Sequence, residues 1–276
     1  MSLIASIIYG FVSGLAEIFP VSSQANQMFM RQLFGVAQKE PIRDLLVHIA
    51  VLAALFVSCR GLFARIRREQ VLAHRMRRNP SQVHALKGIY DMRLVRSAAP
   101  IVVIGLFANL FFPQFYNNRP LFSLMLLING AITLIPTYLH HGNRDARSMT
   151  GFDGILLGFA AALSAVPGIS RNGAIMAVTL ARGAEKQNGV IWAILLSVPA
   201  VAAYVLLDFI SIFTVGVGVL TFAIFAGYLL SALAAFTGTY LAVIAIRMLI
   251  RHSDYSGFAF YDFGLALLSF VLYLIV

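Results

Sequence analysis

Ionisable side chains inside apolar sequence mark where chemistry is done in a membrane, because a charge at bilayer depth costs at least about 2.5–3.5 kcal/mol on insertion scales and is kept mainly for a purpose. Glu17 lies in Gly14-Leu15-Ala16-Glu17-Ile18-Phe19-Pro20, three residues before a helix-breaking proline. Arg171 lies in a second break, Pro167-Gly168-Ile169-Ser170-Arg171-Asn172-Gly173. Ser22 and Ser23 follow the first break, so both turns set hydroxyls and free backbone N–H groups at the start of a following helix. Helix amino termini favour anions, and a guanidinium fork matches phosphate oxygens, so the two turns together point to a phosphate site. For Ser22 or Ser23 alone, simple N-capping after Pro20 explains the hydroxyl equally well, and Glu17 and Arg171 could merely pair with each other. Asp44 and His48 stand at i, i+4 on one face; they could transfer protons or form a pair at the membrane surface. Asp208, Asp262 and His140-His141 lie near the ends of apolar stretches and are expected at the interface. No His-Glu-x-x-His occurs, and the single cysteine, Cys59, excludes an internal disulfide framework and a cysteine-based metal site.

The elements that must position these residues follow from composition. The 276 residues are 60% hydrophobic and 12% charged, which excludes a water-soluble globule. At about 20 residues per crossing, eight apolar stretches fit one polytopic domain over 1–276: 3–19, 42–63, 98–116, 120–139, 152–166, 189–207, 219–246 and 258–276. The first and fifth are short and run into the two breaks, the pattern of re-entrant hairpins around a site. Gly10, Phe11, Leu15, Val21 and Ser22 recur at an offset of 148 as Gly158, Phe159, Leu163, Ile169 and Ser170. Three full crossings between the two turns would reverse the second copy. The expected fold is therefore all-α with an inverted repeat of two re-entrant helical hairpins: repeat 1 over about 1–64, repeat 2 over about 151–210, and closing helices over 219–276.

Residues 65–97 carry nine Lys or Arg against Glu69 and Asp91, a net +7 of the whole chain's +10. A short basic loop between apolar segments is a cytoplasmic signal, with attraction to anionic lipid as a compatible second reading. Arg144, Arg147, Arg182, Lys186, Arg247 and Arg251 then fall on the same side. Tyr90 is the single Phe, Tyr or Trp among the basic residues of 65–97, too few to stack successive bases, so nucleic acid is not an expected partner. With no Lys or Arg before Arg31, the first apolar stretch lacks the basic region of a cleavable signal and is expected to stay in the mature protein.

Glu17-Ile18-Phe19-Pro20-Val21-Ser22-Ser23, the Asp44 to Ala53 segment with His48, and Pro167-Gly168-Ile169-Ser170-Arg171-Asn172-Gly173 resemble, in order and spacing, the signature stretches of the undecaprenyl-diphosphate phosphatase family, also called the bacitracin-resistance protein family. The resemblance covers nearly the whole chain and implies a multi-pass hydrolase of the bacterial plasma (inner) membrane that regenerates the cell-wall lipid carrier. It assigns Ser23 as nucleophile, with Glu17 and Arg171 as catalytic partners. Ser22, Ser170, Gly168, Asn172, Gly173 and Asn26 would bind substrate, and His48 and Asp44 would move protons. Expected partners are the polyprenyl diphosphate and the bilayer, with a homodimer as a further one. The chain departs from the family pattern at Ser13, in place of a first acid, at Asn26, in place of a histidine, and at Asn172, Ile175 and Asp262. Glu17 alone would then hold Mg2+ or Ca2+ only with help from phosphate and water. The leading expectation is a phosphatase releasing undecaprenyl phosphate and inorganic phosphate. The alternative is an impaired homologue that binds or transports a polyprenyl phosphate without cleaving it, and a receptor or structural protein would leave Glu17 and Arg171 unexplained.

Overall fold

The structure, a computed structural model, describes residues 2–36, 40–76, 80–111, 118–139, 142–252 and 256–275. His140 and His141 lie outside the described residues. In chain order the helices are α1 Leu3–Ala16, α2 Ser23–Leu33, α3 Pro41–Ser58, α4 Arg60–Arg75, α5 Pro80–His84, α6 Lys87–Phe107, α7 Arg119–Tyr138, α8 Gly151–Ala162, α9 Arg171–Ala181, α10 Lys186–Thr214, α11 Phe222–His252 and α12 Ser256–Ile275. Helices α3, α6, α7, α10, α11 and α12 are long and apolar enough to cross a membrane, so the chain is an all-α polytopic membrane protein. At about 1.5 Å per residue, α1 and α8 reach only about 21 and 18 Å, short of a hydrocarbon core of about 30 Å. Each turns back through a proline-containing break into an 11-residue helix, α2 or α9.

Adding the 148-residue offset to the start of α1 and to both bounds of α2 gives the start of α8 and both bounds of α9. Packing follows the same pairing, α1 lying mainly on α11 and α8 on α6. Without a hydrophobic force between helices in lipid, association depends on close backbone approach and hydrogen bonds. Gly10 and Gly14 provide the approach: a Cβ there would lie 2.0 Å from the Ser231 carbonyl oxygen and 2.2 Å from that of Ala235. The Ser231 and Thr239 hydroxyls of α11 donate to the carbonyls of Ser6 and Gly14 at 2.8 and 3.1 Å. Gly158 meets α6 in the same way, its Cβ position 2.9 Å from the Ala98 carbonyl oxygen. Outward side chains such as Leu233, Leu241, Phe260 and Leu267 form the apolar belt such a bundle turns to lipid.

The basic stretch 65–97, expected as a loop, is largely helical where described, running through the end of α4, the short α5 and the first turns of α6. Its charges gather at one end of the bundle. Lys87 donates to Asn188 Oδ1 at 2.6 Å, Arg147 to the Ala85 carbonyl at 2.8 Å, and Arg93 to the Met149 carbonyl. Arg144 donates to the Arg182 carbonyl at 2.9 Å, and Arg182 pairs with Asp153 at 2.6 Å, tying the mouth of the second hairpin to the same end.

Candidate active site

Both hairpin turns end in a serine N-cap. The Ser22 hydroxyl accepts from the Ala25 N–H at 3.3 Å and that of Ser170 from the Gly173 N–H at 3.1 Å, so α2 and α9 each begin with capped first turns. The turns touch each other. Gly168, at φ +104°, donates its N–H to Ser22 Oγ at 3.2 Å, in a conformation that L side chains rarely adopt; a Cβ would also lie 2.6 Å from Met125 Cβ. Thr133 of α7 donates to the Pro20 carbonyl at 3.3 Å, and Asn129 of α7 accepts the Ser170 N–H at 2.7 Å, which clamps both turns to one span.

Across this junction Arg171 Nη2 donates to Glu17 Oε2 at 3.2 Å, to the Glu17 carbonyl at 2.9 Å and to Ser197 Oγ at 3.1 Å. Asn172 Nδ2 donates to the carbonyls of Glu17 and Ile18 at 2.9 and 2.8 Å. The frayed end of α1 therefore has its free carbonyls satisfied by the second turn, and Glu17, Arg171 and Asn172 are all buried. Glu17 Oε1 is buried without a hydrogen-bond partner among the described residues and faces His48 Nε2 at 3.9 Å. His48 Nδ1 meets Asp208 Oδ2 at 2.5 Å, and its ring stacks on Tyr204 with centroids 5.3 Å apart. The Asp208 carboxylate on Nδ1 orients the ring and turns Nε2 toward Glu17.

Glu17, Ser23, His48 and Asp208 line one cavity of ≈ 550 Å³. Helix α2 contributes Ser23, Gln27 and Arg31, spaced i, i+4, i+8, as a polar stripe along its wall. Ser23, first residue of α2, is partly exposed, and its hydroxyl has no protein hydrogen bond among the described residues. The cavity draws on the start of α3 and the last turns of α10, whereas the basic residues gather where α10 begins; 29 residues separate those ends, about 43 Å of helix.

The structure brings together Glu17, Ser22, Ser23, His48, Gly168, Ser170, Arg171, Asn172 and Gly173. Asn26 is turned away, its Nδ2 donating to the Ser22 carbonyl at 2.9 Å and its Oδ1 accepting from the Tyr261 hydroxyl. Asp44 lines the cavity but is held by Arg31 and by the Tyr9 hydroxyl at 3.0 Å. Two expectations are corrected. Asp208, placed at the interface by sequence, is buried on His48, because α10 continues to Thr214 and keeps it inside the helix. Asp262, also placed there, is fully buried on α12 and accepts from Asn129 Nδ2 at 2.7 Å, behind the Ser170 turn. Sequence reasoning missed Asp208, Tyr204 and Arg31 as cavity residues; the i, i+4, i+8 stripe was the available signal for Arg31.

For a divalent cation, Glu17 Oε1 and, one turn earlier on the same face, Ser13 Oγ are both buried without a hydrogen-bond partner among the described residues. Among the described residues no three His, Cys, Asp or Glu gather as a cage.

A family model, bacitracin resistance protein BacA, matches residues 6–268. The undecaprenyl-diphosphatase of Alkaliphilus metalliredigens is 28% identical over 261 residues, spanning 91% of this chain and 90% of its own length. That of Desulforapulum autotrophicum is 26% identical over 279 residues, 98% of each chain. That of Syntrophotalea carbinolica is 30% identical over 206 residues, 73% of this chain and 74% of its own. With a family match over almost its whole length, and with both signature turns meeting at one buried centre, the chain belongs to the bacitracin resistance protein BacA family.

Proposed function

We propose that this protein hydrolyses undecaprenyl diphosphate to undecaprenyl phosphate and inorganic phosphate. The observation that carries the reading is the junction of the two turns, where Arg171 reaches Glu17 across 154 residues of sequence beside a cavity that Ser23 lines. The names of the relatives supply the substrate class. Ser23 Oγ attacks the terminal phosphorus; the bond to the bridging oxygen breaks and the lipid monophosphate leaves. The serine proton passes to His48 Nε2, whose Nδ1 is held by Asp208. His48 gives that proton to the departing lipid phosphate, then takes one from the water that attacks the phosphoserine and returns it to Ser23 Oγ as inorganic phosphate departs. Developing negative charge is stabilised by Arg171 and by the unpaired N–H groups of the first turns of α2 and α9. Glu17 Oε1 is the atom that would hold Mg2+ or Ca2+ beside the diphosphate oxygens, and such an ion would neutralise part of the substrate charge.

The reading includes an orientation. With the basic end of the bundle in the cytoplasm, the cavity opens at the outer face of the bacterial plasma membrane. It also includes an inverted repeat, which the coincident hairpin bounds and the matching pairs α1 on α11 and α8 on α6 support.

The direct test is phosphate release from undecaprenyl diphosphate by the purified protein in detergent, with and without Mg2+ or Ca2+. Release by the wild type, and its loss by about 100-fold or more in Ser23→Ala and Arg171→Ala, is the expected result. Lipid-phosphate binding without any release would leave a carrier rather than a hydrolase.

A further inference from the structure

A second cavity, of ≈ 350 Å³, lies between α4, α10 and α11. Two guanidiniums, Arg65 and Arg247, stand on walls made largely by Leu62, Val190, Ile191 and Ile194. All three helices contribute a near-terminal turn, and the candidate spans around it end at Ser58 and Leu249 or begin at Lys186. The cavity thus sits where the spans leave the hydrocarbon, at the basic end and away from the Glu17–Arg171 junction. Its two cations are unequally partnered. Arg65 lies 3.4 Å from Asp91 and 3.9 Å from Glu69. Arg247 donates to Cys59 Sγ at 3.2 Å, a weak acceptor, and no carboxylate among the described residues pairs with it. Helix α10 begins here, so the positive end of its dipole adds to the field. On α11, Tyr240, Ile244 and Arg247 follow one another at i, i+4, i+7, and both Tyr240 and Ile244 are more than a third exposed. An apolar track therefore runs from the guanidinium along the lipid-facing side.

We propose that this cavity binds an anionic phospholipid, its headgroup phosphate held by Arg247 and Arg65 and its acyl chains lying along the Ile244 and Tyr240 track. A guanidinium fork recognises a phosphate diester, and basic pockets between spans at the headgroup level are suited to anionic lipids. A free phosphate would satisfy the cations and leave the apolar walls uncovered. The lipid is a structural ligand here, remote from Ser23, and its binding does not depend on hydrolysis.

The test is native mass spectrometry of the detergent-purified protein exchanged against equal amounts of phosphatidylglycerol and phosphatidylcholine. The wild type is expected to retain phosphatidylglycerol in preference by about fivefold or more, the worth of one cation at a lipid surface. Arg247→Gln should remove the preference and Arg247→Lys should keep most of it. Leu62→Trp, which fills the cavity and leaves both arginines in place, should also remove it, and thermal unfolding would establish that each variant is folded. Absence of a preference in the wild type, or its survival in folded Arg247→Gln and Leu62→Trp, overturns the proposal. Release of the bound phosphatidylglycerol by millimolar inorganic phosphate would overturn it too, in favour of a free-anion site.

Discussion

With Nδ1 engaged by Asp208 and one face stacked on Tyr204, the His48 ring is fixed in orientation and presents Nε2 toward Glu17. That arrangement matters because Asn26 can neither give nor take a proton and is occupied by Ser22 and Tyr261. Proton transfer through His48 makes two opposite expectations for two single variants. His48→Ala should lower kcat by about 100- to 10,000-fold, the usual range for general acid–base help, whereas Asn26→His should change kcat by less than about tenfold. Asp208→Asn, which keeps the shape but loses the tautomer control, should lower kcat more than it raises KM. Steady-state phosphate release over a range of pH checks all three, and a strongly activated Asn26→His with an unharmed His48→Ala would reassign the base. At this scale much of the site was legible in sequence, since Glu17, Ser23 and Arg171 announce themselves as polar residues at helix breaks. Asp208 was not, because the sequence places it just past the end of an apolar stretch, while the helix runs six residues further.

Helix α1 shows how an element can be too short to cross and yet hold its place. Its anchor is the close approach of Gly10 and Gly14 to the α11 backbone, reinforced by the Ser231 and Thr239 hydroxyls. Any side chain at Gly14 meets backbone, which cannot move aside like a flexible side chain, so Gly14→Leu should destabilise the protein by at least about 1–3 kcal/mol. Gly61 offers the control: a Cβ there has nothing within 4 Å, so Gly61→Ala in α4 should leave stability unchanged or raise it by up to about 1 kcal/mol. Thermal unfolding in detergent separates the two, and equal midpoints for Gly14→Leu and wild type would remove the close-packing account. Because α1 carries Glu17 just beyond its end, Gly14→Leu should also lose activity through displacement of that carboxylate. The break positions and the 148-residue offset made both hairpins readable in advance. The helical character of 65–97 was hidden because charge density signals a solvated connection as strongly as it signals an amphipathic helix at a membrane surface.

For the whole molecule, sidedness decides whether the chemistry can serve lipid-carrier recycling. The cavity runs along α2 and takes in the start of α3 and the last turns of α10, and the basic residues collect where α6 and α10 begin, so the two features occupy opposite ends of α10. The proposed orientation puts the basic end in the cytoplasm, where bacterial membrane proteins keep their positive charge, and the cavity would then face substrate released at the outer leaflet. Two exposed positions report on this arrangement. Val219, in the connection after α10, is 85% exposed at the cavity end, and Arg68 is exposed on α4 at the basic end. The native Cys59 is fully buried and contributes little background. In intact bacterial cells a membrane-impermeant maleimide should label Val219→Cys directly and Arg68→Cys only after permeabilisation. The reverse pattern would place Ser23 and Arg171 within reach of the cytoplasm, and a phosphatase working on the outer leaflet would no longer be tenable, even with phosphate release intact in detergent. Equal labelling of both before permeabilisation would mean a mixed orientation, against which the concentration of charge at one end argues, since each basic residue moved across the bilayer adds to the cost of the wrong insertion.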